Sequence, residues 1–334
     1  MALKIWEKDI KTDILKDKVI AIIGYGNQGR SQALNLRDGG FSVIVGNSQD
    51  SYRETALADG QKVLPIDEAA RQADILLVLL PDELQAQIIT EHILGNLKDG
   101  ATLCFGHGYN VHFKTFEIPE KADIIMVAPR MIGGPVRDWY QRGIGFCSYV
   151  AVAQDYTGKA DEIMLAVAKG IGGASPAIKT TFEEETVMDL FGEQVGGGGA
   201  LLGVLYQFEV MTEAGYDPEI AQLECYGSGE LVEVAKSTYE RGLIGQLYGH
   251  SHTSQYGQMR RCNEFMDEAI KEQYRKILSD IRDGTFAKQW AAEQASGYKV
   301  MEGMRAKFNQ HPIITAEKSN QDVKKQLDRG KSED

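Results

Sequence analysis

The chain has 334 residues, 43% of them hydrophobic and 25% charged, which is the length and composition of two soluble globular domains with substantial cores. A net charge of −12 argues against nucleic acid as a partner, because phosphate binding needs a basic face. No apolar run approaches a membrane span, Met1 to Asp13 is too polar for a signal peptide, and four scattered cysteines (Cys104, Cys147, Cys225, Cys262) without a C-x-x-C pair predict reduced thiols in the cytoplasm.

Val19–Ile23 is a short β-branched apolar run followed by Gly24-Tyr25-Gly26-Asn27-Gln28-Gly29 and a helical pattern over 31–36. Strand, G-x-G-x-x-G and helix in that order form the dinucleotide fingerprint. The first glycine makes the tight turn and the second lets backbone approach the pyrophosphate. The third packs helix on strand, leaving the phosphates at the helix N-terminus.

The next predicted strand, 41–45, leads into Gly46-Asn47-Ser48-Gln49-Asp50-Ser51-Tyr52-Arg53. An acid about 20 residues past the glycines accepts from the ribose 2′-hydroxyl and repels a 2′-phosphate, and Asp50 has that spacing. Ser48, Ser51 and Arg53 could instead hold the phosphate, so the nucleotide stays open between NADH and NADPH, with Asp50 inclining it to NADH.

Further strands are expected at 75–80, 102–105, 123–128 and 149–153, with helices between them such as 83–93. The alternation predicts an α/β, doubly wound parallel sheet of Rossmann type over 1–181. Past Thr181 strand-like runs vanish, and helices are expected through about residue 308, most clearly at 204–213, 230–240 and 264–281. The domains read as 1–181, a helical 182–317, and a polar tail over 318–334 expected to be disordered or frayed.

Asp189-Leu190-Phe191-Gly192-Glu193-Gln194 places two carboxylates at i and i+4, on one helical face, where like charges repel. A solvated acidic face is the ordinary reading of such a pair. Leu190, Phe191 and the run Gly196 to Gly199 predict a packed setting instead, in which a divalent cation would neutralise the pair.

Together these features resemble the ketol-acid reductoisomerase (acetohydroxyacid isomeroreductase) family in its short form, over nearly the whole chain. The matching pieces are the glycine loop, Leu80-Pro81-Asp82-Glu83, Gly106-His107-Gly108, the 189–194 block, Glu213-Ala214-Gly215-Tyr216 and Ser251 before Tyr256-Gly257. The 189–194 block is specific to the family, whereas the glycine loop is shared by many dehydrogenases. The resemblance implies a knotted all-helical C-terminal domain and active sites shared across a homodimer or larger homo-oligomer. It also implies alkyl migration in a 2-aceto-2-hydroxy acid, then NAD(P)H reduction to a 2,3-dihydroxy acid, in branched-chain amino-acid biosynthesis.

By matched position, Mg2+ would be held by Asp189 and Glu193, with Glu224 and Glu230 from the partner subunit serving a second ion and the substrate. His107, Glu193 and Glu230 would be catalytic, while Arg130 and Ser251 would meet the substrate. Besides the glycine loop and the 48–53 segment, Pro81, Asp82, Gln85 and Gly133 would line the cofactor site.

Three departures stand out. The second acidic motif of the family, Glu-Cys-Leu-His-Glu, becomes Glu224-Cys225-Tyr226-Gly227-Ser228-Gly229-Glu230. Only a two-residue insertion there keeps Glu230 in register, which predicts a helix interrupted between Glu224 and Glu230. The family's lysine after Ala-Pro is Arg130, and the usual asparagine after Ser251 is His252. A reductase of a keto acid or imine, without the isomerase step, is therefore an alternative, and a nucleotide-binding protein without turnover is a third.

Overall fold

A computed structural model describes residues 3–329. The chain divides into two compact units, Met1–Asp189 and Leu190–Asp334. The division falls inside the helix Phe182–Phe191, eight residues beyond the expected boundary, which coincides with the start of that helix.

The first unit is built on a nine-stranded sheet: β1 (Lys4–Ile5), β2 (Val19–Ile23), β3 (Ser42–Gly46), β4 (Val63–Leu64), β5 (Ile75–Val78), β6 (Thr102–Phe105), β7 (Asp123–Pro129), β8 (Ser148–Gln154) and β9 (Ala177–Lys179). Their spatial order is β1-β9-β8-β7-β6-β5-β2-β3-β4. The six strands from β4 to β7 run parallel, and their interiors are largely apolar, as in strands covered on both faces. In β2, Ile20 and Ile22 enter one core cluster while Ala21 and Ile23 enter the other, so alternate side chains feed two helix-covered faces.

The sheet is parallel-dominated, as expected of a doubly wound fold, with two reversals at one side. β8 runs antiparallel to β7, and β1 antiparallel to β9. The reversal has a consequence for the site: β8 begins where β7 ends, pairing Ser148 with Pro129, so the intervening residues stay on one edge. Strands β1, β4 and β9 escape a periodicity reading because two or three residues carry no period.

Sequential strands step outward from β2 to β4, then return to β5 on the other side of β2. That reversal is the topological switch point, where ligands sit outside the carboxyl ends of open α/β sheets.

The second unit is helical among its described residues, from Gly198–Glu213 to Gln321–Arg329. Its buried apolar cluster is small: Phe208, Ala221, Cys225, Ile313 and Ala316. The helix expected over 264–281 is two, His252–Phe265 and Glu268–Arg282. Asp267 separates them by accepting from Ala269 N at 2.8 Å, the use of a short acidic side chain as an N-cap.

The tail expected to be disordered is helical through Pro312–Ser319 and Gln321–Arg329. Asn320 anchors it by donating to Glu219 O and Gln222 Oε1, both at 2.9 Å. Residues 330–334 of that expectation lie outside the described residues.

Candidate active site

The glycine loop supplies one wall of a cleft at the switch point. Gly24 has φ +91°, a left-handed conformation, and a Cβ there would lie 2.8 Å from Leu80 Cδ2. A Cβ on Gly29 would run into the carbonyl oxygen of Gly24, whereas one on Gly26 would meet nothing within 4 Å. Two glycines are thus fixed by the fold, and the middle one opens space where a pyrophosphate would approach. Gly133 is fixed too, since its Cβ would collide with the backbone of Asn27. Ser31 Oγ donates to its carbonyl at 2.6 Å, locking the helices Asn27–Asp38 and Gly133–Gln141 together.

The cleft has a volume of about 240 Å³ and is lined by Gln28, Leu80, Pro81, Asp82, Gln85 and His107, among others. Gln28 Nε2 donates to Met131 O at 2.8 Å and Gln85 Nε2 to Leu80 O at 2.8 Å, so both amides are held. Tyr25 leaves the cleft: its ring is buried and its hydroxyl donates to Asp59 at 3.0 Å. Burial and Asp59 push that phenol up to about 12.

Beyond the second strand, Asp50 caps the helix Ser51–Ala58 and accepts through Oδ1 from Tyr52 N at 2.9 Å, Arg53 N at 3.0 Å and Asn47 Nδ2 at 2.8 Å. Arg53 turns back on the loop, 3.4 Å from Asn47 O. Ser48 and Ser51 are exposed.

At the carboxyl edge next to the cleft, a charged cluster forms. His107 follows β6, Arg130 follows β7, and Asp189 comes from the helix Phe182–Phe191. The sequence reading missed their common partner. Glu185, one turn before Asp189 and only 1% exposed, accepts from Gly108 N at 2.8 Å and stands 3.1 Å from His107 Nδ1. His107 Nδ1 also lies 3.6 Å from Asp189, and Nε2 lies 3.8 Å from Asp82. The available signal was the i, i+4 spacing of Glu185 and Asp189, concealed within Glu183-Glu184-Glu185, which reads as an acidic first turn favoured by the helix dipole.

Electrostatics follow from this crowding. Burial disfavours the His107 cation, yet Glu185, Asp82 and Asp189 outweigh it and raise its pKa to about 9. Burial raises the Asp82 carboxyl to about 6, although His107 opposes the rise. Arg130 ion-pairs with Asp189, approaches Glu185 at 3.5 Å and lies over the Tyr149 ring at 4.9 Å. Its guanidinium pKa is raised, the pairing with Asp189 overcoming burial.

His107, Glu185 and Asp189 can offer ligand atoms within 4.8 Å of one another. The two carboxylates suit a hard, oxygen-seeking cation. A protonated His107 cannot ligate and fits better as the donor that orients Glu185.

The remaining expected residues belong to the second unit. Glu193 sits in a π-helical turn, Gly192–Gly197, and is exposed. Gly196 to Gly199 are exposed as well, which corrects the packed setting expected of them within one chain. Glu224 lies in the π-helical turn Leu223–Gly227 and Glu230 opens the helix Glu230–Arg241, both exposed. Between them the chain turns left-handed at Gly229, φ +86°, so the expected interruption is present. Ser251 caps the helix that begins at His252 by accepting from Ser254 N at 3.3 Å.

Comparison with known proteins gives consistent matches along the chain. Residues 14–176 match the family model described as acetohydroxy acid isomeroreductase, NADPH-binding domain, and residues 182–326 match ketol-acid reductoisomerase, C-terminal domain. A protein of Methanopyrus kandleri named ketol-acid reductoisomerase (NADP(+)) is 45% identical over 310 residues, covering 92% of this chain and 94% of the relative. A protein of the same name from Methanocaldococcus jannaschii is 43% identical over 312 residues, covering 92% and 94%. The solved structure of an NADH-preferring ketol-acid reductoisomerase from an uncultured archean superposes with a TM-score of 0.92 at 36% identity, covering 96% of this chain and 98% of that one.

Proposed function

Because the chain belongs to the ketol-acid reductoisomerase family, we propose that it rearranges a 2-aceto-2-hydroxy acid and reduces the product to a 2,3-dihydroxy acid, as a step of branched-chain amino-acid biosynthesis. The carrying observation is the pair Glu185 and Asp189, with His107, at the strand edge beside the glycine-loop cleft. Its four unpaired cysteines support a cytoplasmic setting.

When bound, magnesium supplies Lewis-acid polarisation of substrate oxygens, and the reduced nicotinamide supplies a hydride. The chain's own part is positioning. Asp189 and Glu185 would hold one cation, with Glu193 completing its ligands. Glu224 and Glu230, contributed by a second copy, would hold the other cation and meet the substrate, and Ser251 would meet the substrate carboxylate. His107 keeps a proton at Nδ1 against Glu185, which fixes that carboxylate's orientation. Gly26 gives the pyrophosphate its approach, and Pro81, Asp82 and Gln85 wall the cofactor cleft.

The second unit supports a homo-oligomer. Large apolar side chains including Leu201, Leu202, Tyr206, Val210, Leu231 and Val232 are exposed in a single copy, whereas Phe208 and Ile313 are the large ones buried in its core cluster. An apolar surface of that extent marks a protein interface. Light scattering should return at least twice the 36.9 kDa chain mass.

For the nucleotide we favour NADH. Asp50 places a carboxylate at the helix N-terminus that a 2′-phosphate would need, and Arg53 is drawn onto the loop's own backbone.

The test is NAD(P)H oxidation with 2-acetolactate, beside 3-hydroxy-3-methyl-2-oxobutanoate, the already rearranged ketone, with and without EDTA. Magnesium-dependent turnover of both supports the proposal. Turnover of the second compound alone would favour a reductase without isomerase activity, a reading for which the Arg130 ion pair on Asp189 speaks.

A further inference from the structure

Two carboxylates one turn apart on a helix, one of them almost fully buried, require positive charge nearby. Here the charge is already present. Arg130 ion-pairs with Asp189 and reaches Glu185 at 3.5 Å, tying together the two groups assigned to the cation. A guanidinium cannot shed its proton, so it clears a site only by moving.

The surroundings allow that movement. Arg130 N donates to Cys147 O at 2.9 Å, so the antiparallel β7–β8 edge pins the backbone while the side chain remains free to pivot. The guanidinium is 4.9 Å from the Tyr149 ring centroid, an aromatic face on which a cation can rest. The side chain is 32% exposed, so its head can reach water without a buried charge being stranded. His107, the other cation of the cluster, is held by Glu185 and Asp82 as well as Asp189 and has less freedom to leave.

We propose that Arg130 is an internal counter-cation that exchanges with the divalent ion at Glu185 and Asp189. In the metal-free chain it clamps the two carboxylates. When the ion binds, the guanidinium withdraws along Tyr149, so that its charge no longer competes with the ion for Asp189 and Glu185. Arg130 therefore sets the metal affinity and keeps the empty site from repelling itself apart. This rests on the assignment of Asp189 and Glu185 to the cation made above.

The test uses the full chain stripped of metal, titrated calorimetrically with MgCl2, as wild type, Arg130→Gln, Arg130→Lys and Asp189→Asn. Thermal unfolding is followed in EDTA and in saturating MgCl2. Arg130→Gln should bind Mg2+ about tenfold more tightly than wild type, the order expected when a competing partly buried charge is removed. It should unfold at a lower temperature in EDTA, and saturating Mg2+ should close that gap. Arg130→Lys, which keeps the charge without the fork, should fall between the two and serves if the glutamine variant does not fold. Equal affinity in wild type and Arg130→Gln, with binding lost in Asp189→Asn, would overturn the exchange and leave the metal assignment standing. Undiminished binding in Asp189→Asn would overturn the assignment and the exchange with it.

Discussion

His107 and Glu185 face each other at 3.1 Å, Nδ1 to Oε2, and the same oxygen accepts from Gly108 N at 2.8 Å. A buried carboxylate with two donors has little freedom, and a ring nitrogen held against it keeps its proton. In the metal-free protein this contact has a consequence for stability against pH. The folded-state pKa of His107 is raised from 6.5 to about 9. A raised pKa contributes stability that is fully present below 6.5 and lost as pH rises through about 9. Thermal unfolding in EDTA should therefore weaken across that window. Glu185→Gln removes the first partner and should flatten the slope, and a His107 ring resonance titrating lower in that variant checks the cause. An unchanged slope in Glu185→Gln would assign the effect to other groups.

Gly26 and Gly29 should separate folding from binding. A side chain at Gly26 meets nothing within 4 Å, whereas a Cβ at Gly29 collides with Gly24 O. Gly26→Val should keep stability within about 1 kcal/mol while blocking the backbone's approach to the pyrophosphate, read as loss of NAD(P)H binding. Gly29→Ala should destabilise by roughly 1–3 kcal/mol through overpacking. Unchanged cofactor affinity in Gly26→Val would remove the loop from the cofactor site.

The parallel part of the sheet was legible because both of its faces are covered, so β2 and β5 read as unbroken apolar runs. The reversal at β8 was not, since a short, largely apolar strand carries no mark of its direction. Asp189 and the glycine loop could be found from local spacing, and His107 from the matched segment Gly106-His107-Gly108. Glu185 could not, because its importance comes from Gly108 and His107, 77 and 78 residues away. Arg130 was assigned to the substrate, while its observed contacts are Asp189, Glu185 and Tyr149. The tail looked disordered by composition, yet Asn320 pins it to Glu219 and Gln222 through contacts about a hundred residues apart, which no local window contains.

Asp50 tests nucleotide choice with little structural cost. Asparagine caps a helix about as well as aspartate, so Asp50→Asn should retain the bonds from Tyr52 N and Arg53 N. What it loses is the negative charge that opposes a 2′-phosphate. The ratio of kcat/KM for NADPH over NADH should rise about tenfold, equivalent to roughly 1.4 kcal/mol, with stability within about 0.5 kcal/mol. A ratio that does not move would transfer the choice to Ser48, Ser51 and Arg53.

The altered acidic motif gives the last test. An unbroken helix would bring Ser228, four residues after Glu224, onto the same face and turn Glu230 away. Instead the π-helical turn ends at Gly227, Gly229 adopts φ +86°, and a new helix starts at Glu230. A left-handed residue followed by a fresh helix start resets the direction of Glu230, so the helical register no longer assigns the site to Ser228. Glu230→Gln should lower magnesium-dependent turnover by about 100-fold, as loss of a charged ligand to metal or substrate does, while Ser228→Ala should leave it nearly unchanged. Gly229→Ala should cost about 1–2 kcal/mol for a left-handed alanine and also lower turnover, because the restart that aims Glu230 is strained. A large loss in Ser228→Ala with none in Glu230→Gln would reverse the assignment and return the site to the uninterrupted register.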